Sequence, residues 1–288
     1  MKAGQTNELN EGEKSPFGSK FLIIFVKNIF KMDLAVTIEN GVCTIKLNRP
    51  QVFNSFNRSM AMALQLELDN CASNDEVRAI LITGEGKAFC AGQDLAEATD
   101  ANGPELQSIV RDHYNPIILK IREIEKPVVA AVNGVAAGAG ANIALACDIT
   151  IAKESASFIQ AFSKIGLIPD SGGTFFLPRI IGTQKALALM MTGDKVTANE
   201  AEAMNMIYKS VPDDSFDEVV ADFMNKIAQM PTKGLGLTKK AVNQSLFNSL
   251  EDQLEIEEKL QTEAGHSYDF EEGVAAFLEK RKAVFKGR

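Results

Sequence analysis

Residues 127–152, PVVAAVNGVAAGAGANIALACDITIA, contain the pattern that decides the fold. The apolar run at 128–132, between Pro127 and the Asn-Gly pair at 133–134, is typical of a buried strand. A glycine-rich turn follows and leads into a short apolar helix, and DITIA then begins another strand. This order of strand, turn, helix and strand predicts an α/β core.

The same alternation continues toward the N-terminus. LAVTIEN and VCTIKLN alternate with the period of a strand around Asn40-Gly41, a pair that suits a tight hairpin turn. Residues 58–72 show helical periodicity, VRAILIT is a short buried strand, and residues 105–124 are helical again. We therefore predict an α/β region over residues 32–195.

The pattern changes after residue 195. Thr197 and Glu200 have the spacing of a capping box, and MIYKSV is a short strand. Residues 215–284 then predict three or four amphipathic helices without further strands. We expect residues 196–288 to form a helical C-terminal region.

The first 31 residues differ from the remainder in composition. Their apolar stretch, FLIIFVKNIF, is interrupted by Lys27 and Asn28 and is shorter than the roughly 17 to 25 residues that a bilayer span needs. The features of a signal peptide are missing as well. We expect residues 1–31 to be a poorly ordered extension, and we expect no membrane association.

Charge and cysteine content exclude several classes of function. The net charge of -8 among 288 residues makes a broad nucleic-acid-binding surface unexpected. The four cysteines are scattered without a C-x-x-C pair, and the two histidines lie far apart. Free thiols in the cytoplasm are therefore expected, and a metal site is not.

Two glycine-rich loops follow buried strands and are candidates for ligand binding. They are KAFCAGQDLAE and NGVAAGAGAN. Small residues let a ligand approach the backbone, and N–H groups at a helix start favour an anion, so the two loops could converge on one oxyanion. Each alone could be a structural turn. A dinucleotide-binding motif fits poorly because Ile143 occupies the third glycine position, and Pro169 excludes a serine-nucleophile elbow.

Asp170 lies within GLIPDSGGT, between a proline and a pair of glycines. As a helix cap it would accept backbone N–H bonds, which would stabilise its ionised form. Burial beside Phe162 and Ile168 would raise its pKa and favour the role of a base. Gly172-Gly173 is an unfavourable way to begin a helix, and a simple cap leaves these glycines unexplained.

Four stretches together resemble the crotonase (enoyl-CoA hydratase/isomerase) superfamily, from about Met32 to the end. They are AFCAGQDL, NGVAAGAGANIALACDI, FSKIGLIPDSGGTFFLPRIIG and AGHSYDFEEGVAAFLEKR. The resemblance implies a spiral of ββα units, a helical C-terminal trimerisation region and a homotrimer or dimer of trimers. It also implies a coenzyme A thioester as substrate and no separate cofactor.

The resemblance also assigns residues to the site. The backbone N–H groups of Gln93 and Ala139 match the oxyanion hole, and Asp170 occupies the position at which the isomerases and the dehalogenase of the family have an aspartate. The two catalytic glutamates of the hydratases are replaced by Asn142 and Phe162. The further expected contacts with CoA or substrate are made by Ala91, Asp94, Leu95, Gly140, Asn142, Phe162, Phe277 and Lys280.

The resemblance therefore implies an acyl-CoA isomerase that uses one aspartate base, with 1,2-epoxyphenylacetyl-CoA as the expected substrate. Hydration is disfavoured, because an amide cannot accept a proton at neutral pH and a phenyl ring can neither accept nor donate one. One alternative is a general 3-enoyl-CoA to 2-enoyl-CoA isomerase. The other is a non-catalytic CoA-binding or RNA-associated member of the fold, which the retained Asp170 and the acidic charge disfavour.

Overall fold

A computed structural model describes residues 33–288, and the predicted extension at residues 1–31 lies outside the described part. The described chain opens with the predicted hairpin. Strand β1 (Leu34–Glu39) pairs antiparallel with β2 (Val42–Leu47). The turn residues Asn40 and Gly41 both have positive φ, 51° and 81°, as a tight two-residue hairpin turn requires.

The body consists of two sheets. The larger has the order β1-β2-β3-β5-β7-β10 and is parallel from β2 onward. The smaller has the order β4-β6-β8-β9. The remaining strands are β3 (Ala79–Gly84), β4 (Ala88–Cys90), β5 (Val128–Val132), β6 (Val135–Ala137), β7 (Ile149–Lys153), β8 (Ser157–Ile159), β9 (Lys195–Thr197) and β10 (Lys209–Val211).

The chain passes from the larger sheet to the smaller one three times in succession. Strands β3, β5 and β7 of the larger sheet are followed directly by β4, β6 and β8 of the smaller, and helical segments make the return connections. This repetition is the predicted spiral of ββα units. It also places the loops after β4 and β6 next to each other, because these two strands are paired in parallel.

The helices fill the connections and form the C-terminal region. Those of the body are α1 (Arg58–Ser73), α2 (Leu95–Ala98), α3 (Leu106–Ser108), a π-helical turn (Ile109–Tyr114), α4 (Asn115–Glu123), α5 (Ala139–Ala146), α6 (Gly173–Ile181), α7 (Thr183–Thr192) and α8 (Ala198–Ala203). Those that follow are α9 (Phe216–Ala228), α10 (Thr232–Ser245), α11 (Leu250–Gly265) and α12 (Tyr268–Glu279). The predicted capping box of Thr197 and Glu200 begins α8.

The body extends beyond the boundary predicted at residue 195. Strand β9 spans this position, β10 joins the larger sheet, and α9 contributes Phe216, Val220 and Met224 to an apolar cluster on that sheet. The part of the C-terminal region that is free of strands and separate from the sheets therefore begins with α10.

A buried polar network joins α10 to the body. Lys239 of α10 is 9% exposed, and its Nζ lies 2.9 Å from Oδ2 of Asp148. The other carboxylate oxygen of Asp148, Oδ1, accepts from Nη1 of Arg122 at 3.0 Å.

Between residues 33 and 288, no helix is long and apolar enough to cross a membrane. All four cysteines are buried and free, as expected.

Candidate functional site

The loop after β4 leaves the backbone N–H of Gln93 open to a ligand, because the residues on either side of Gln93 bond to Phe56. Gly92 accepts from the N–H of Phe56 at 2.7 Å, and Asp94 donates to the carbonyl of Phe56 at 2.8 Å. In this parallel bridge the backbone N–H of Gln93 points away from Phe56, and it donates to no residue in the range 33–288. A ligand oxygen could therefore accept from it.

The second candidate donor lies where helix α5 begins. Ala139 is the first residue of α5, and the first N–H groups of a helix have no partner within it. Gly138 precedes it with φ 54° and ψ −128°, a conformation available to glycine and to few other residues. The glycine is thus required for the turn that directs the start of α5.

The two loops are packed against each other. A Cβ built on Gly92 would lie 3.0 Å from the carbonyl oxygen of Ala137 and 3.6 Å from the nitrogen of Ala139. A Cβ on Gly140 would lie 2.7 Å from Sγ of the buried Cys90. The structure therefore brings the predicted donors Gln93 and Ala139 together, with small residues making the approach possible. Gly140 itself is buried at this contact between the loops.

Asp170 is not a helix cap. Helix α6 has Gly172 at its N-cap position, without any side-chain cap bond. The carboxylate of Asp170 instead accepts from the hydroxyl of Ser171, with 2.9 Å between Oγ and Oδ1. Ser171 and Gly172 both have positive φ, 50° and 73°, and this left-handed turn separates the carboxylate from the helix.

The environment of Asp170 makes its carboxyl bind a proton more readily than an exposed aspartate does. Burial raises the pKa of its carboxyl above the ordinary value, while the bond from Ser171 and one from its own backbone act in the opposite direction. A carboxylate with a raised pKa and few partners is a better proton acceptor than a capping one. The geometry thus excludes a helix-capping role for the Asp170 carboxylate, and its raised pKa suits the role of a base.

Asn142 connects Asp170 to the oxyanion region. Its Nδ2 donates to the backbone carbonyl of Asp170 at 2.8 Å, and its Oδ1 accepts from Nε2 of Gln160 at 2.8 Å. Asn142 lies three residues after Ala139 on α5, so the turn carrying Asp170 is held against the helix that carries a candidate donor. Both ends of the Asn142 amide have protein partners, and the residue is 1% exposed.

Phe162 lies beside the second loop. It belongs to a 3-10 helix at Ala161–Ile165 and is 7% exposed. Its ring reaches to 3.8 Å from the position of a Cβ on Gly138. An apolar ring thus stands close to the start of α5, at one of the two positions where the resemblance implies hydratase glutamates.

The other predicted contacts fall into two groups. Ala91 and Leu95 are exposed beside Gln93, while Asp94 caps α2 by accepting from Ala96 and pairs with Nη2 of Arg49 at 2.9 Å. Asp94 therefore supports the loop.

Phe277 and Lys280 lie on and just after α12. The described residues that line the cleft around Phe277 all lie between positions 231 and 285. Asp170 is not among them, so within residues 33–288 Phe277 does not share a cleft with Asp170.

Several supporting residues were missed from the sequence. Asn54 is fully buried and holds the loop before Phe56 through Nδ2 bonds to Glu85 and Ala88. Tyr114 is 1% exposed, and its hydroxyl donates to Oε1 of Gln93 at 2.7 Å. Pro116, within the predicted helix 105–124, was a signal for an irregular turn at Tyr114, because proline disrupts a helix interior.

Comparisons with known proteins agree with this fold. A model of the family described as enoyl-CoA hydratase/isomerase matches residues 37–288. The chain therefore belongs to the enoyl-CoA hydratase/isomerase family and has the crotonase fold. A solved structure of an enoyl-CoA hydratase from Bacillus anthracis superposes with a TM-score of 0.83 at 34% identity, covering 89% of this chain and 100% of the other.

Two relatives are equally similar to this chain but carry the names of different activities. The 1,2-epoxyphenylacetyl-CoA isomerase of Escherichia coli (strain K12) is 45% identical over 254 residues, which cover 87% of this chain and 97% of the relative. A Rhodobacter capsulatus protein named "Probable enoyl-CoA hydratase" is also 45% identical, over 251 residues covering 87% and 96%. Overall identity therefore does not separate isomerase from hydratase, and the site residues must carry that distinction.

Proposed function

We propose that this protein is an acyl-CoA isomerase with Asp170 as its single carboxylate base. The observation that carries the proposal is the position of Asp170, whose partly buried carboxyl is free of the helix and has a raised pKa. Asn142 and Phe162 occupy the positions where the resemblance implies the two hydratase glutamates. A reaction that needs one proton acceptor is therefore favoured over one that needs two carboxylates to handle water.

In the proposed mechanism, the N–H groups of Gln93 and Ala139 receive the thioester carbonyl oxygen. Two preorganised backbone donors stabilise negative charge on that oxygen, which acidifies the neighbouring carbon. Because the donors are backbone groups, an alanine at position 139 serves as well as a glycine. The positive end of α5 lies at the same place and acts in the same direction.

Asp170 then transfers a proton within the substrate. With a 3-enoyl chain, it takes a proton from C2 as the electron pair moves toward the thioester oxygen. Returning that proton to C4 leaves the double bond between C2 and C3, so no atoms are gained or lost. With an epoxide on a phenylacetyl ring, the ring bond between the two epoxide carbons breaks to give the seven-membered oxepin. The same transfer of a proton from C2 then gives its isomer, so no atoms are gained or lost.

The substrate that we favour is 1,2-epoxyphenylacetyl-CoA, to be converted to oxepin-CoA. Support comes from the 45% identity to the Escherichia coli isomerase and from the apolar ring of Phe162 near the start of α5. The second candidate is a general 3-enoyl-CoA to 2-enoyl-CoA isomerase, because the same base and donors would serve it. The proposed chemistry requires no cofactor other than the CoA of the substrate.

We also propose assembly as a homotrimer or a dimer of trimers. The C-terminal helices expose large apolar side chains, with Leu250 70%, Leu278 73% and Phe277 84% exposed. Faces of this kind support association with further copies. In such an assembly Phe277 and Lys280 could meet the nucleotide of a substrate bound to a neighbouring subunit. Their expected role in binding CoA would then not require them to lie near Asp170 of their own subunit.

The test is product analysis on a small panel of CoA thioesters. Purified protein is incubated with a 3-enoyl-CoA, with enzymatically generated 1,2-epoxyphenylacetyl-CoA and with crotonyl-CoA, and products are separated by liquid chromatography with mass detection. We expect isomerisation without a mass change and negligible addition of water to crotonyl-CoA. Hydration near the enzymatic median of about 10 per second would contradict the proposal, as would inertness toward both isomerisation substrates.

A further inference from the structure

The side chain of Gln93 is held at both ends, although the proposed oxyanion hole uses only its backbone. Its Oε1 accepts from the hydroxyl of Tyr114 at 2.7 Å, and its Nε2 donates to Oε2 of Glu97 at 3.2 Å. A carboxylate can only accept, so the NH2 group must face Glu97. The amide oxygen therefore faces Tyr114, and the phenol must be the donor.

The two groups that hold Gln93 are themselves fixed by the body. The Glu97 carboxylate accepts from the first N–H of α1, that of Arg58, with both oxygens at 3.0 Å. The ring of Tyr114 packs edge-on against Phe56, with 5.9 Å between the centroids. Phe56 in turn pairs through its backbone with Gly92 and Asp94, on either side of Gln93. Tyr114 thus contacts this loop through both its ring and its hydroxyl.

The backbone before Gln93 needs such support. Gly92 has φ 93°, in a region where glycine has wide freedom, and the peptide that joins it to Gln93 is held on its carbonyl side by the N–H of Phe56, at 2.7 Å. Rotation of that peptide would turn the N–H of Gln93 away from a thioester oxygen. Since oxyanion donors act only when correctly placed, a residue that restricts this rotation affects the rate directly.

We propose that Tyr114 is a positioning residue that orients the Gln93 oxyanion donor through its hydrogen bond to the Gln93 side chain. The inference deepens the proposed function and rests on it. Tyr114 ends the π-helical turn at Ile109–Tyr114, a kind of irregular turn that is common at functional sites. Burial is the first cause that raises the pKa of the Tyr114 phenol, and nearby Cys90 and Asp170 act in the same direction. The phenol therefore keeps its hydrogen across the working pH range and continues to donate its hydrogen bond to Gln93.

Tyr114→Phe tests the inference, because it keeps the ring contact with Phe56 and removes only the hydroxyl. We expect kcat to fall about 10-fold, less than the roughly 100-fold or more expected from losing an oxyanion donor outright, with KM within about twofold. The control is Tyr208→Phe, since Tyr208 is 61% exposed and its hydroxyl bonds to no residue of the described range. That variant should retain the kinetics of the unmodified protein.

A double-mutant cycle separates positioning from a general packing effect. Gln93→Leu keeps the backbone N–H but removes the acceptor of Tyr114, so it should also lower kcat. If Tyr114 acts through Gln93, the double variant should be no slower than the slower single variant, because the same interaction is lost in each. Multiplicative losses would overturn the inference, and so would an unchanged kcat in Tyr114→Phe.

A readout without turnover distinguishes failure of this inference from failure of the proposed function. The infrared carbonyl stretch of bound phenylacetyl-CoA, labelled with 13C at the thioester carbon, reports polarisation by the oxyanion donors. We expect a shift to lower frequency in the unmodified protein and in Tyr208→Phe, and a smaller shift in Tyr114→Phe. Equal shifts in all three would overturn the role of Tyr114 alone. No shift in the unmodified protein would overturn the oxyanion hole and this inference together.

Discussion

The side-chain amide of Asn142 donates to the backbone carbonyl oxygen of Asp170, with 2.8 Å between Nδ2 and that oxygen. The other end of the amide accepts from Gln160. Asn142 therefore needs both a donor and an acceptor, a combination that a carboxylate at neutral pH does not have. An amide at this position fixes the turn of the candidate base, which is a different task from that of a glutamate exchanging protons with water.

Asn142→Asp should destabilise the protein at pH 7 by about 1–3 kcal/mol, the usual cost of an unsatisfied buried group. The new carboxylate would face the Asp170 carbonyl without a proton to donate. Burial would raise its folded pKa above the unfolded value, so stability would be recovered as pH falls and lost as pH rises through the folded pKa. Urea unfolding between pH 4 and pH 8 measures this.

Asn102→Asp is the control for that variant, because Asn102 is exposed and the substitution adds the same charge. It should change stability little at any of these pH values. A difference between Asn142→Asp and the unmodified protein that did not depend on pH would contradict the assigned role of the amide.

Gly173→Ala should destabilise the protein and slow turnover. A Cβ on Gly173 would lie 2.7 Å from Cγ of Asn142, so the added methyl group must displace the amide that holds Asp170. Overpacking of this kind costs about 1–3 kcal/mol. Gly234→Ala is the matched helical control, since its nearest neighbour would be 3.9 Å away. Thermal unfolding should show the control unchanged or slightly more stable, and equal losses in both would contradict the argument.

Much of the fold could be predicted because its signals are local. The Asn40-Gly41 turn, the helical period over residues 58–72 and the strand at residues 128–132 each depend on neighbouring residues in sequence. The π-helical turn at Ile109–Tyr114 could not be predicted from such local signals. Its buried residues still follow an approximately helical spacing, and only Pro116 indicated an irregularity.

The site was predicted less completely, since its supporting contacts join distant parts of the chain. Asn142 and Asp170 are 28 positions apart, and Tyr114 and Gln93 are 21 apart. Whether Asp170 caps a helix depends on the left-handed turn at Ser171 and Gly172, which the sequence allowed without requiring. The resemblance supplied the positions of Gln93 and Ala139, and the structure supplied the packing that brings them together.

Asp148→Asn should cost about 3–5 kcal/mol of unfolding free energy, the range for removing one partner of a buried ion pair. The ammonium of Lys239 would lose its carboxylate partner while remaining buried, and α10 would be held less firmly to the body. The neighbouring Lys240 pairs with Glu125 at the surface. Glu125→Gln should therefore cost at most about 1 kcal/mol. Similar losses of unfolding free energy for the two variants, measured by urea unfolding, would contradict this distinction between a buried and a surface ion pair.

Asp170→Asn should lower isomerisation by roughly 100-fold or more, the usual contribution of general acid-base catalysis, while binding of a CoA thioester persists. Stability should not fall. The folded pKa of Asp170 is raised above the ordinary value of 3.8, so its contribution to stability is present below that pH and is lost as pH rises through the folded pKa. At pH 7 the amide should be as stable as the carboxylate or more so, and the difference should disappear in acid.

Asp213→Asn provides a control of opposite sign. Hydrogen bonds from the side chain and backbone of Ser155 lower the pKa of the exposed Asp213 carboxyl, so its contribution is present at neutral pH and is lost in acid. This variant should lose stability at pH 7 and keep full activity. The stabilities and turnover rates of Asp170→Asn and Asp213→Asn are compared from pH 3 to pH 8, with stability measured by calorimetry. An Asp170→Asn protein that kept its activity, or whose stability followed the same pH trend as Asp213→Asn, would contradict the role of Asp170 as a partly buried base.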